Sequence, residues 1–209
     1  MHLTHRWAER SLRARGDLGQ ALFGIVQGAC HRDLRKESAA FLSEQSFDGL
    51  AIGGLAVGES HLERYEMTAL VTEHLPRHLP RYLMGVGTPW NILECIGLGI
   101  DMFDCVMPTR NGRNGMLFTT KGVINIRNKK WATDFSVIDD GIDCETSNYY
   151  SKAYLRHLFV ADEILGLQIA SIHNLAFYLW LVGEARKHII VGDFTSWKTS
   201  TIEIIKQRL

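Results

Sequence analysis

Asp104 stands in the run MFDCVMPTR, among Met102, Phe103, Cys105 and Val106. A carboxylate in such company is costly to bury unless it is paired or used. If that run is a strand of a parallel α/β sheet, Asp104 lies at its carboxyl end, where loops gather to build active sites. The plain alternative is a strand-end aspartate that caps the next turn. Asp101 is three residues earlier; it faces the other way in a strand and ends the preceding segment. Gln27 closes the run ALFGIV just before Gly28. Its amide offers one donor edge and one acceptor to a heterocycle, or equally a bond to nearby backbone. Gly53 and Gly54 end the next apolar run and would let backbone N–H groups come close to a flat ligand, although a simple turn needs the same residues. Gly85 and Gly87 suggest a phosphate loop, but no Lys-Ser/Thr pair follows, so a Walker site is not expected. Cys144 and His173 are 29 residues apart with no further cysteine near. Two ligands fall short of the four that structural zinc takes.

These residues need elements to position them. Four short apolar runs, at 21–26, 49–52, 82–86 and 102–106, end in glycine-rich or turn-forming residues and read as buried parallel strands. Helical patterns lie between them, over 31–45, 60–74 and 88–98. Ser60 with Glu63 fits a capping box, and Thr88 before Pro89 fits an N-cap followed by proline at the first helical position. The rhythm is that of βα units. After Pro108 it breaks. Residues 109–148 read as loop and short strand, with a hairpin around 118–120 and 123–126. Two helices follow, over 148–164 and 169–190, the second with Leu175, Leu179, Val182 and Ala185 as its core stripe, and a tail helix over 196–208.

Composition bounds the rest. The chain has 209 residues, 46% hydrophobic and 22% charged, as expected of a globular domain able to bury a core. Lys plus Arg equals Asp plus Glu at 23 each, which excludes a uniformly basic nucleic-acid binder. The charge is nevertheless uneven. From Cys105 to Thr133 there are six basic residues and no acid, and the next twelve residues hold five acids. The basic stretch suits a phosphate backbone, or is a solvated charged hairpin. Four cysteines in this length do not suggest a disulfide scaffold. No uninterrupted apolar run reaches the roughly 18 residues of a membrane helix and no secretory signal is evident, so a cytoplasmic protein without membrane contact is expected.

The segments FGIVQG, DGLAIGGLAVGE, RYLMGVGTPWNILECIGLGIDMFDCVMPTRNGRNGMLFT, SKAYLRHLF and ASIHNLAFYL together resemble the tRNA-guanine transglycosylases, or queuine tRNA-ribosyltransferases. The likeness runs over nearly the whole chain. It implies a (β/α)8 barrel with a zinc-bearing insertion, and exchange of guanine at the tRNA wobble position for a 7-deazaguanine base. Asp104 matches the family's nucleophile. Gln27 and Gly54 match positions that hold the base, with Gly53, Leu55, Ala56 and Met84 in the same pocket. Gly85, Val86, Gly87, Thr88, Pro89, Trp90 and Asn91 match one RNA-contacting loop. Thr109, Arg110, Asn111, Gly112 and Arg113 match a second segment, which reads the anticodon loop around the wobble base.

Two departures stand out. The family's zinc ligands correspond to Ile142, Cys144, Ser147 and His173, so only two of four survive. Zinc is expected to be absent or weakly held, with packing through Tyr149, Tyr150 and Leu155 in its place. The likeness also begins about midway through the family's sequence. The expected fold is therefore α/β: the C-terminal half of a TIM barrel, with a degenerate zinc-type subdomain. Residues 1–108 would carry the βα units and the nucleophile, 109–175 the basic insertion, and 176–209 the C-terminal helices. Half a barrel leaves strand edges open and an interior uncovered. A homodimer or a separately supplied N-terminal half would be needed, or else the chain is an inactive fragment or a non-catalytic tRNA-binding subunit.

Overall fold

A computed structural model describes residues 1–16 and 19–209. They form two compact units, one of residues 1–87 and 94–105, the other of 88–93 and 106–209.

The first unit is α/β. Strands β1 (Phe23–Val26), β2 (Gly49–Ile52), β3 (Arg81–Leu83) and β4 (Met102–Phe103) form one sheet in sequence order, and every pair is parallel. Helix α1 (His2–Arg15) precedes the sheet, α2 (Arg32–Ser43) joins β1 to β2, and α3 (His61–His74) joins β2 to β3. Helix α4 (Pro89–Gly97) lies between β3 and β4. Alternation along the strands gives the sheet two different faces. One carries Val26, Leu50, Ile52 and Leu83, all fully buried in a core with Ala39 and Leu42 of α2 and Met67, Leu70 and Val71 of α3. The other carries Phe23, Ile25, Tyr82 and Met102, which are only partly buried, Met102 being 45% exposed.

The second unit is mainly helical. It holds α5 (Met107–Arg113), the antiparallel hairpin β5 (Met116–Thr119) and β6 (Gly122–Asn125), a 3-10 turn (Lys129–Thr133), α6 (Glu145–Tyr149), α7 (Lys152–Val160), α8 (Ile164–Val191) and α9 (Phe194–Ile205). Leu117, Ile124, Ile126, Trp131, Leu155, Leu158 and Ile169 share its core. Asn174 of α8 ties the unit together at its centre. Its Nδ2 donates to Pro108 O at 2.9 Å and to Met116 O at 3.0 Å, and its Oδ1 accepts from Phe118 N at 3.0 Å.

The capping box at Ser60 forms as expected, with Ser60 N to Glu63 Oε2 at 2.9 Å and Glu63 N to Ser60 Oγ at 3.2 Å. Several expectations fail. Pro89 opens α4, but Thr88 Oγ1 makes no hydrogen bond and so does not cap it. Residues 109–113, expected to be loop, belong to the helix α5. The Asn111-Gly112 pair reads as a turn, yet Gly112 is the point where α5 packs on α8, since a Cβ there would lie 2.9 Å from Ala170 O. The single helix expected over 148–164 is two, because Ser151 caps a new start by accepting from Tyr154 N at 3.2 Å. The expected core stripe of α8 holds at Ala185 but not at Leu175 or Leu179. Leu175 and Leu179 are 45% and 72% exposed, and the buried side is Ile169, Ala170, His173, Asn174, Phe177, Tyr178, Leu181 and Ala185. A polar pair anchors that side, which a hydrophobic pattern does not reveal. Tyr149 is 76% exposed and meets Tyr150 edge to face, with ring centres 5.0 Å apart. Helix α8 runs unbroken through residues 175 and 176. It is also the one helix among the described residues long and apolar enough, by length and composition, to cross a membrane. Scanning for uninterrupted runs passes over it because polar residues such as Gln168 and Asn174 divide it.

Candidate active site

The sheet register builds the site. Val26 pairs with Ile52, Ile52 with Leu83, and Leu83 with Phe103, so these four form the last row across the strands. The next residue on each strand is Gln27, Gly53, Met84 and Asp104. They therefore share one level at the carboxyl end of the sheet, on the face that α2 and α3 do not cover. This is the position where parallel α/β folds place ligands.

Asp104 is held by two donors on one oxygen. Tyr82 Oη donates to Asp104 Oδ1 at 2.6 Å and Gly85 N donates to the same atom at 2.9 Å. The Tyr82 hydroxyl, followed by the Gly85 N–H, keeps the Asp104 carboxyl below its ordinary range. The same bond pushes the Tyr82 phenol up to about 12. Gly85 has φ +72°, and a Cβ there would lie 3.1 Å from that of Ala56. Glycine thus provides both the turn and the close approach of the N–H. Met84 is held by its backbone N to Ile52 O at 3.1 Å.

The base-side residues also come together. A Cβ on Gly53 would lie 2.9 Å from Gln27 Nε2, and one on Gly54, at φ +68°, 3.0 Å from Gln27 Oε1. The Gln27 amide therefore lies directly against the glycine pair. Gln27 N donates to Ser38 Oγ at 3.2 Å. Beneath this corner lies Arg35, fully buried. Its guanidinium donates to Ala29 O at 2.8 Å, Val26 O at 3.0 Å and Gly54 O at 3.3 Å, which pins the ends of β1 and β2 to one another. Burial lowers its pKa to about 10. Leu55 is fully buried and serves as wall; its carbonyl accepts from Arg64 Nε at 2.7 Å.

Tyr82 and Arg35 are absent from the sequence reading. A signal for Tyr82 was present: it pairs with Met102, and so shares a face with Asp104 two residues on. Arg35 looks like any charged residue of an amphipathic helix, and nothing in its spacing distinguishes it.

The residues expected to contact RNA differ in accessibility. Val86, Gly87, Pro89, Asn91 and Gly112 are buried. Gly85, Arg110 and Arg113 are exposed, and Thr88, Trp90, Thr109 and Asn111 partly so. The basic stretch is partly occupied internally. Lys121 pairs with Asp140 at 2.6 Å, and Arg127 donates to Phe159 O at 3.2 Å while lying over the Phe159 ring.

The donor set at the zinc position does not fit the metal. Ile142 offers no ligand atom, and Ser147 Oγ lies 2.7 Å from His173 Nδ1 while His173 Nε2 lies 2.8 Å from Phe118 O. A carbonyl only accepts, so Nε2 carries the proton and Nδ1 accepts from the Ser147 hydroxyl. Neither ring nitrogen keeps a free lone pair for a cation. His173 and Ser147 are fully buried, and burial lowers the His173 pKa, keeping it neutral.

A parallel α/β unit with a carboxylate, an amide and a glycine pair gathered at one sheet end is the class of protein in hand. Residues 1–207 match the Queuine tRNA-ribosyltransferase family, and the chain belongs to that family. It is 50% identical over 197 residues to the queuine tRNA-ribosyltransferase of Herpetosiphon aurantiacus, covering 94% of this chain and 50% of that protein. The Aquifex aeolicus protein of the same name is 49% identical over 208 residues, covering 99% and 55%. A Francisella tularensis relative is 48% identical over 198 residues, covering 95% and 54%. The chain thus spans about half the length of the curated relatives it matches.

Proposed function

We propose that this chain carries the nucleophile and base-binding half of a tRNA-guanine transglycosylase, exchanging guanine at the tRNA wobble position for a 7-deazaguanine. The observation that carries this reading is Asp104, held ionised by Tyr82 and Gly85 at one level with Gln27, Gly53 and Met84. In the first step an Asp104 oxygen attacks ribose C1′. The bond from C1′ to guanine N9 breaks, its electron pair leaves with the base, and the base takes up a proton. In the second step N9 of the deprotonated incoming base attacks C1′ and expels the carboxylate, restoring the original configuration. Two displacements at one carbon are the logic of retaining glycosidases. Because both Tyr82 and Gly85 donate to Oδ1, Oδ2 is the oxygen assigned to attack. Gln27 and the Gly54 backbone hold the base edge, and Arg35 fixes both by fixing the strand ends. The wobble nucleotide must leave its stack to reach them.

The four parallel strands represent half of a (β/α)8 barrel in this reading. The half-buried Phe23, Ile25 and Met102 on the open sheet face support it, as would be the case if further strands covered them. Those strands, in the same polypeptide or another, supply the base that deprotonates the incoming heterocycle. The 209-residue chain alone should then give no base exchange. Radiolabelled guanine incorporation into tRNA by the purified chain tests this, and single-turnover exchange would refute it.

The zinc site is replaced in this protein by the Ser147–His173–Phe118 hydrogen bonds. The fit of the donors supports this, since no lone pair of His173 is free. Metal analysis of the purified chain tests it, and stoichiometric zinc would overturn it. Cytoplasmic location and pairing of two copies belong to the same reading, as does the use of the anticodon loop as substrate.

A further inference from the structure

A second cleft, of about 780 Å³, lies wholly within the second unit. Trp90 lines it with the amide side chains Asn111, Asn125 and Asn128, and with Lys206 and Arg208. No acidic residue lines it among the described residues. Lys206 Nζ stands 5.8 Å from the centre of the Trp90 ring. Thr88 Oγ1, shielded and without a partner, belongs to the same wall.

The cations are placed by a specific piece of backbone. Val123 N donates to Gln207 O at 2.7 Å and Leu209 N donates to Val123 O at 2.9 Å, so residues 207–209 lie along β6 as a short parallel bridge. Gly122 makes room for this approach. It has φ +140°, and a Cβ there would lie 2.7 Å from Gln207 O. Lys206 and Arg208 flank the bonded Gln207, and both are exposed.

We propose that this cleft is an RNA-binding subsite for a single-stranded nucleotide of the tRNA substrate, with Lys206 and Arg208 on the phosphate and Trp90 and the asparagines beside the base. An aromatic face, amide edges and cations without acids are the combination by which proteins hold single-stranded RNA. The proposal rests on the tRNA reading and adds the tail residues 206 and 208 to it.

The test is fluorescence anisotropy of a labelled anticodon stem–loop RNA with the full chain over a range of salt concentrations. Lys206→Ala with Arg208→Ala should lower the slope of log Kd against log salt by about 1 to 2. Lys36→Ala with Lys187→Ala removes the same charge elsewhere and should leave the slope unchanged. Gly122→Ala keeps every cation but displaces the tail, and should weaken binding as well. Lys206→Arg should retain it. If the chain binds RNA and the Lys206/Arg208 pair behaves like the control pair, the subsite is wrong and the tRNA reading stands. If the chain binds no RNA at low salt, both fall.

Discussion

The Tyr82 hydroxyl donates a 2.6 Å hydrogen bond to Asp104 Oδ1 across adjacent parallel strands. One consequence can be read without any activity. Asp104 should titrate below the usual carboxylate range, because the phenol and the Gly85 N–H favour its charged form. A carboxyl whose folded pKa is depressed adds stability above its unfolded pKa, and that stability is lost as pH falls through the folded value. In Tyr82→Phe the Asp104 titration should move upward, toward about 3.9. Side-chain carboxyl NMR of the chain follows it directly. An unchanged Asp104 titration would remove Tyr82 from the account.

Arg35 is the second support of the site. Arg35→Met withdraws donors from three backbone carbonyls at the ends of β1 and β2. Val26 O would still accept from Gly53 N at 3.0 Å, so the loss falls mainly on the part-buried bonds to Ala29 O and Gly54 O; at about 1 kcal/mol for each hydrogen bond, a loss of about 2 kcal/mol in urea unfolding is expected. Arg35→Lys cannot reach all three carbonyls and should recover only part of it. Full stability in Arg35→Met would show that water takes over the guanidinium's role.

The buried pair in the second unit predicts both a mutational cost and a pH dependence. Ser147→Ala leaves His173 Nδ1 without its donor, at a cost of about 1–3 kcal/mol. Burial depresses the pKa of His173 and of His5. The unfolded state therefore takes up these protons first, and stability should fall as pH drops below about 6.5. Thermal melts between neutral and mildly acidic pH measure this. A rise in stability over that range would contradict the neutral His173.

Restoring the ligands should restore the metal. Ile142→Cys with Ser147→Cys places two thiolates beside Cys144 and His173 and frees His173 Nδ1 from the Ser147 hydroxyl. This double variant should bind one zinc tightly, as four ligands do in structural sites, while the parent binds none. Elemental analysis after dialysis reads both. Equal zinc in the two proteins would contradict the account.

Much of the site was legible because a parallel strand announces its own end. The runs closing at Gln27, Gly53 and Asp104 are apolar, short and followed by turn residues, and the register brings them level. What the sequence concealed was set by partners distant in the chain. Arg35 becomes a site residue only when Val26 and Gly54 converge on it. The Asn111-Gly112 pair carries a turn signature that helix packing overrides, because only glycine lets α5 approach Ala170 so closely. The buried side of α8 was missed because His173 and Asn174 occupy its centre, and their burial depends on hydrogen bonds to β5.

The most direct measurement is of the covalent link itself. Residues 1–209 can be grafted in place of the matched span of the Aquifex aeolicus relative, which provides the remainder of a complete enzyme. Incubated with tRNA and quenched in denaturant, the graft should yield a protein–RNA adduct whose mass spectrum places the ribosyl group on Asp104. The adduct should be absent in Asp104→Asn. An adduct of equal yield in Asp104→Asn, or one mapped to another residue, would contradict the assignment of Asp104 as the nucleophile.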